Sequence, residues 1–285
     1  NTNTSNPTLI VSNNSANPTS QTYVVTTTLN GCITTDSATI TINPQPIILA
    51  NAAPTSICAG DTAQLVATGA TTYAWTWQSN PGFIIGTNDT LNVHPTATTN
   101  YVVTGTNSFG CSNTDTVKVT VYQIPIILAT ASNDTICSGD TLLLTGLGGA
   151  TYVWNVQGGS VIGSTNPLSV TPNTNTSYIV TGTSANGCSS TDTVSVIVNP
   201  GATANSILGN ISVCPGVNGV LYWIPNANPN STYTWSINGG TLVSGQGSDS
   251  ILVNWASISG IGTVSVIETT TSGCQSPDPV TLDVN

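Results

Sequence analysis

The chain has 285 residues, a formal net charge of −10 and a single basic side chain, Lys118, in a background rich in Thr, Ser, Asn, Val, Ile and Gly. One cation cannot build a basic patch, so charge-driven binding to nucleic-acid phosphates or to anionic lipid is excluded. Apolar residues make up 38 % of the chain, enough for packed cores, and the excess of Thr, Val and Ile favours strands.

The stretch NTNTSNPT at the amino terminus has no positively charged region, no apolar signal core and no initiator Met, so it reads as the start of a mature or internal segment. Apolar runs such as IPIILA at 124–129 are too short to span a membrane as helices. Beyond this point the sequence repeats itself. Cys32, Cys111 and Cys188 recur at spacings of 79 and 77 residues, and Cys58 and Cys137 at 79. Whole phrases recur around them: IILANAAPTSICAGDTAQL against IILATASNDTICSGDTLLL, TTYAWTW against TYVWNV, and TTNYVVTGTNSFGC against TSYIVTGTSANGC.

These phrases divide the chain into a partial repeat over 1–46, full repeats over 47–125 and 126–202, and a diverged fourth over 203–285. The first begins in mid-domain, as a section of a longer protein would. The links NPQP (43–46), YQIP (122–125) and NPGA (199–202) are short and contain Pro, which predicts an extended array with limited bending.

Within each repeat the hydrophobic period is two. Tyr73, Trp75 and Trp77 alternate with smaller residues, as do Tyr152, Trp154 and Val156, and Tyr233, Trp235 and Ile237. Val117, Val119 and Val121 alternate with Thr116, Lys118 and Thr120. Such runs are strands with one buried face, and about seven of them fit into roughly 80 residues between Gly, Asn and Asp turns. The predicted class is all-β, a tandem of Ig-like β-sandwiches, with Trp75, Trp154 and Trp235 on strand C and Tyr23, Tyr101 and Tyr178 on strand F as core rings.

The phrases CAGDTAQL, YAWTW, TNYVVTGTNSFGC and TDTVKVTV resemble the tandem Ig/PKD-like repeats of large secreted and surface proteins of Bacteroidota, including gliding-motility adhesins exported by the type IX system. The fourth unit, with CPGVNGVLYWIP, TYTWSINGG and GQGSDSILVNWA, is similar to the PKD-like variant in those proteins and lacks the WDFGDG of classical PKD domains. The resemblance implies PKD-like and Ig-like sandwiches in an extended array, at the cell surface or secreted, serving as a non-enzymatic adhesin stalk or filament. Its partners would be neighbouring repeats and, at the surface, glycans or other cells.

Seven Cys without a CxxC pair, beside a single His, indicate disulfides and an oxidising location. Cys32, Cys58, Cys111, Cys137, Cys188, Cys214 and Cys274 are an odd set, so at least one has no partner among them. Pairing inside each repeat would join Cys58 to Cys111, Cys137 to Cys188 and Cys214 to Cys274. In an Ig sandwich, however, the early Cys sits at the A–B turn and the late Cys at the F–G turn, at opposite ends of parallel-running strands B and F. A seven-residue strand is about 23 Å long, whereas disulfide-bonded Cα atoms lie roughly 4.4–6.8 Å apart. Head-to-tail stacking favours instead Cys58 with Cys188 and Cys137 with Cys274, leaving Cys32, Cys111 and Cys214 for neighbouring segments.

Asp followed by Ser or Thr recurs before Ser37, Thr62, Thr90, Thr116, Thr135, Thr141, Thr193 and Ser250. One reading is a turn-capping Asp before a strand. The other is an O-glycosylation acceptor, because the phrase resembles the one glycosylated in Bacteroidota surface proteins. Catalytic chemistry has no foothold: His94 is replaced by Thr171 in the next repeat, and GxSxG, HExxH and P-loop motifs are absent. Isolated Asp residues without a DxDxDG loop make at best a weak calcium site. No cofactor, metal or catalytic residue is therefore predicted. The competing reading is a carbohydrate-binding module array beside a secreted hydrolase, for which Trp77 and Trp223 are the rings least explained by a core. Self-assembly through unpaired strands or Cys is a third.

Overall fold

The computed structural model describes residues 10–204, 206–257, 260–276 and 278–285. All regular structure in them is β. The chain falls into two compact units, Asn1–Pro125 with Ser184–Cys188, and Ile126–Thr183 with Ser189–Asn285.

The first unit opens with a hairpin of β1 (Thr19–Leu29) and β2 (Cys32–Ile42). Its two-residue turn, Asn30-Gly31, holds both residues at positive φ, 51° and 83°, as a hairpin matching the strand twist requires. Hydroxyl pairs Thr22–Thr39 (2.9 Å) and Thr27–Thr34 (2.6 Å) bridge the strands. Tyr23, expected as a core ring, is only half-buried, because no second sheet among the described residues packs on this hairpin.

A complete sandwich follows in the same unit. Its strands are β3 (Leu49–Ala53), β4 (Ser56–Cys58), β5 (Ala63–Thr68), β6 (Thr72–Trp77), β7 (Asn80–Gly86), β8 (Thr90–Val93), β9 (Thr99–Thr106) and β10 (Ser112–Tyr122). One sheet has the order β3-β5-β8, the other β4-β10-β9-β6-β7. In Ig terms these are A-B-E and A′-G-F-C-C′. There are eight strands where about seven were expected, because strand A divides near Pro54 and its second half, β4, crosses to run parallel to β10. Trp75, Leu65, Tyr101, Val103 and Val119 fill the core and are at most 2 % exposed. A buried Trp removes roughly 200 Å² from water, about 5 kcal/mol as an upper figure. The strict alternation expected along β6 fails at Thr76, which is 8 % exposed beside the buried Trp75: pairing with β7 shifts register on both sides of Thr76.

The second unit holds two more sandwiches, each with its own core. The earlier one comprises β11 (Leu128–Ala131), β12 (Thr135–Cys137), β13 (Leu142–Leu147), β14 (Thr151–Val156), β15 (Val161–Gly163), β16 (Leu168–Val170), β17 (Thr176–Thr183) and β18 (Ser189–Asn199). It repeats the topology of its predecessor, β11-β13-β16 against β12-β18-β17-β14-β15. Trp154 takes the place of Trp75 and is fully buried. The later one comprises β19 (Leu208–Gly209), β20 (Val220–Trp223), β21 (Thr232–Asn238), β22 (Gly240–Ser244), β23 (Ser250–Trp255), β24 (Gly262–Thr269) and β25 (Val280–Val284). Its sheets are β19-β20-β23-β22 and β21-β24-β25, closed over Trp235, Tyr222, Tyr233 and Trp255.

Candidate functional site: the cysteine turns

The repeated Cys lie in two kinds of turn. The first follows the short A′ strand. At Cys58 the carbonyl accepts the N–H of Asp61 (3.0 Å), and Gly60 sits at φ 87°. At Cys137 the carbonyl accepts the N–H of Asp140 (3.0 Å), with Gly139 at φ 88°. Only Gly enters this left-handed region without strain, which is why the phrase reads C-x-G. Parallel pairing of Tyr122 with Cys58 and of Asn199 with Cys137 fixes each turn at the end of the last strand of its sandwich.

The second kind joins F to G. The Ser184 N–H donates to the Cys188 carbonyl (2.8 Å), and the Thr270 N–H does the same to Cys274 (2.8 Å). The side-chain oxygen of the same residue, four positions before the Cys, closes the turn from the other side: Ser184 Oγ accepts from Cys188 N–H (3.2 Å) and Thr270 Oγ1 from Cys274 N–H (3.1 Å). Asn107 Oδ1 performs the same task for Cys111 (3.0 Å).

Cys58 is disulfide-bonded to Cys188, with Cα atoms 5.7 Å apart, and Cys137 to Cys274, with Cα atoms 5.6 Å apart. Each bond therefore connects the A′–B turn of one sandwich to the F–G turn of the sandwich that follows it in the chain. The F–G turn over Ser184–Cys188 accordingly belongs to the first compact unit. Cys188 and Cys274 are 1 % exposed, while Cys32, Cys111 and Cys214 are free thiols. A shallow hollow of about 540 Å³ flanks the Cys58–Cys188 bond, lined by Ser56, Asp61, Thr62, Tyr122 and Asn186.

The Asp four residues after the F–G Cys has a structural role that the sequence reading missed. Asp115 Oδ2 accepts the N–H of Ala50 (2.7 Å), and Asp192 Oδ2 that of Ala129 (2.8 Å), so strand G anchors the opening strand of its own sandwich. The Ala129 and Thr193 N–H groups hold the Asp192 carboxyl below its ordinary value of 3.8. In the last sandwich the buried Glu268 takes over this task, with Oε2 accepting the N–H groups of Thr203 (2.8 Å) and Ala204. The fixed spacing from Cys to Asp, at Asp36, Asp115, Asp192 and Asp278, was the available signal. At the entrance to the first complete sandwich, Asn107 and Asn113 side chains donate to the carbonyls of Pro44 (2.9 Å) and Pro46 (3.0 Å), fixing the link.

Of the hydroxyls that follow Asp, Ser37, Thr62, Thr90, Thr116, Thr135, Thr141 and Thr193 are exposed and Ser250 is half-buried. Several are engaged locally. Asp36 and Asp115 accept the N–H of Ser37 and Thr116 (2.8 Å each), Thr141 Oγ1 lies 3.2 Å from Thr171 Oγ1, and Ser250 Oγ donates to Asp249. His94 lines an open hollow with Trp77, Pro95 and Tyr101 whose walls carry no carboxylate. Among the described residues no three His, Cys, Asp or Glu side chains cluster as metal ligands would. Trp77 is half-buried against the core, with one face stacked on Phe83 at 5.5 Å and 7°. Trp223 is 39 % exposed on β20.

Residues 123–200 match the model of an Ig-like domain, CHU_C associated, and residues 200–284 that of a PKD-like domain. No curated protein sequence matches the chain. Solved structures with similarity include a 1.5-MDa bacterial ice-binding adhesin (17 % identity, 84 % of this chain, 98 % of that one, TM-score 0.33). A Ca²⁺-stabilised adhesin with which an Antarctic bacterium binds ice is similar over 93 % of this chain and 81 % of that one (17 % identity, TM-score 0.37). Fibronectin(III)-like modules of Clostridium thermocellum CbhA are similar over 53 % of this chain and 95 % of that one (15 % identity, TM-score 0.31).

Proposed function

We propose that the chain is a section of a non-enzymatic extracellular stalk or filament of a surface adhesin, in which tandem sandwiches are stapled to one another by disulfides. The observation that carries this reading is the connectivity: Cys58–Cys188 and Cys137–Cys274 each leave one sandwich and enter the next. A bond inside a sandwich would reinforce that domain alone, whereas a bond between successive sandwiches resists their separation and rotation under load. The closed loops span 130 and 137 residues. By the chain-entropy model each contributes about 5 kcal/mol at most against the unfolded chain. The near-absence of basic side chains, and aromatic rings packed into three cores, suit a polar spacer better than a sugar-stacking surface.

Small-angle scattering and calorimetry on the oxidised chain and on Cys58→Ser/Cys188→Ser test it. The double variant is expected to show a broader distribution of interatomic distances, together with a lower melting transition for at least one of the two linked sandwiches. Unchanged scattering and unchanged melting would remove the mechanical role of the staple.

A further inference from the structure

Cys214 occupies the same turn as the two A′–B cysteines that are already bonded. Its carbonyl accepts the N–H of Val217 (3.2 Å), and Gly216 sits at φ 78°, as Gly60 and Gly139 sit at 87° and 88°. The residues before it run along the end of the last strand of their own sandwich, through Val213 N–H to Asn285 O and Asn285 N–H to Ile211 O (2.8 Å each). This matches how β4 lies along β10 and β12 along β18. Cys214 is exposed, and Cys58 and Cys137 remain partly exposed even when bonded, because burial of the bond comes from the F–G side. Beside Cys214 lies a hollow of about 340 Å³ lined by Val213, Trp255, Ile261 and Val284, with Ile261 72 % exposed. A comparable hollow lies beside Cys58, and there Asn186 of the bonded F–G turn forms one wall of it.

We propose that Cys214 is the open half of a third staple and bonds the F–G-turn cysteine of a further Ig-like repeat. The inference rests on the stalk reading for its biological sense. The chemistry is thiol–disulfide exchange with glutathione disulfide as oxidant. The Cys214 thiolate attacks the oxidant and releases one glutathione thiolate, and the incoming cysteine thiolate then attacks Cys214 Sγ and releases the second. Two electrons pass to glutathione, the protons of the two cysteine thiols end on the two glutathione thiols, and one S–S bond forms in the protein.

The test is the full chain extended after Asn285 by a second copy of residues 122–202, in which the copy of Cys137 is Ser. This places one F–G cysteine downstream of Cys214 and raises the free thiols from three to four. After equilibration with reduced and oxidised glutathione, two free thiols are expected, Cys32 and Cys111, with peptide mapping showing Cys214 bonded to the added copy of Cys188. Four free thiols, or a bond from the added cysteine to any other residue, overturns the proposal. The unextended chain at high concentration supplies a second measurement, since Cys111 rests in the same turn as Cys188. Crosslinks between copies are expected from Cys214 to Cys111, and bonds from Cys214 to Cys214 or to Cys32, which follows a two-residue hairpin turn instead, overturn the turn-specific pairing. The Cys58/Cys188 scattering experiment does not involve Cys214, so the two readings fail separately.

Discussion

Trp75 and Trp154 hold equivalent places on strand C of successive sandwiches, and both are fully buried, yet they differ by one hydrogen bond. Trp75 Nε1 donates to the carbonyl of Asn88 (3.0 Å), and Trp235 in the last sandwich likewise to Ser248 (2.8 Å). Trp154 Nε1 is buried with no acceptor. The cause lies in the turn that precedes strand E. In the earlier sandwich it reads Asn88-Asp89-Thr90, and the Asp89 carbonyl accepts the N–H of Ala67 on β5. In the later one it reads Thr165-Asn166-Pro167, and the Asn166 side chain instead grips Gly146 through both its N–H and its carbonyl (2.8 Å each). The backbone no longer offers a carbonyl to the indole.

Replacing either Trp by Phe empties a similar volume, so the cavity cost is common to both and cancels in the comparison. Trp75→Phe also loses a hydrogen bond of about 1 kcal/mol, while Trp154→Phe removes an unsatisfied donor whose burial costs about 1–3 kcal/mol. Trp154→Phe is therefore expected to be the milder change by about 2–4 kcal/mol, of which even the lower figure is a difference of roughly 8–16 °C in melting shift for a domain of this size. Scanning calorimetry of the two variants in the full chain measures it. If Trp154→Phe costs as much as Trp75→Phe or more, the account of the orphaned indole is wrong.

Two further outcomes are expected. The Asp192 carboxyl is held below its ordinary value by the N–H groups of Ala129 and Thr193, so its contribution is complete above about pH 4 and is lost as pH falls through the lower folded value. Melting curves between pH 5 and pH 2 should therefore fall less steeply for Asp192→Asn than for the native chain, and parallel curves would refute the anchoring role. Gly148 and Gly187 both sit at positive φ, 92° and 87°, but a Cβ on Gly148 would strike the Ile126 carbonyl while one on Gly187 meets open space. Gly187→Ala should cost about 1–2 kcal/mol from the left-handed backbone alone. Gly148→Ala should cost at least 2 kcal/mol more by denaturant titration, and equal costs would show that the contact relaxes.

Much of this molecule can be read from local pattern, because the period of two in TYVWNV or TVKVTV states which side chains share a face, and C-x-G and GC phrases state where the backbone must turn left-handed. That is enough for the strands, for Trp75, Trp154, Trp235, Tyr101 and Tyr178 as core rings, and for two kinds of cysteine turn. It is not enough for what touches what across the chain. Thr76 is buried because β7 slips register against β6, and Trp154 lacks an acceptor because a turn 12 residues away changed its hydrogen bonding. The alternation along Asp115 and Asp192 gave no hint that their carboxylates reach Ala50 and Ala129, more than 60 residues earlier. Cysteine pairing belongs to the same class. Sequence spacing left two connectivities open, and the choice between them depends on which turns meet in space: a strand's length separates the two turns of one sandwich, while the turns of successive sandwiches bring Cα atoms to 5.7 Å and 5.6 Å.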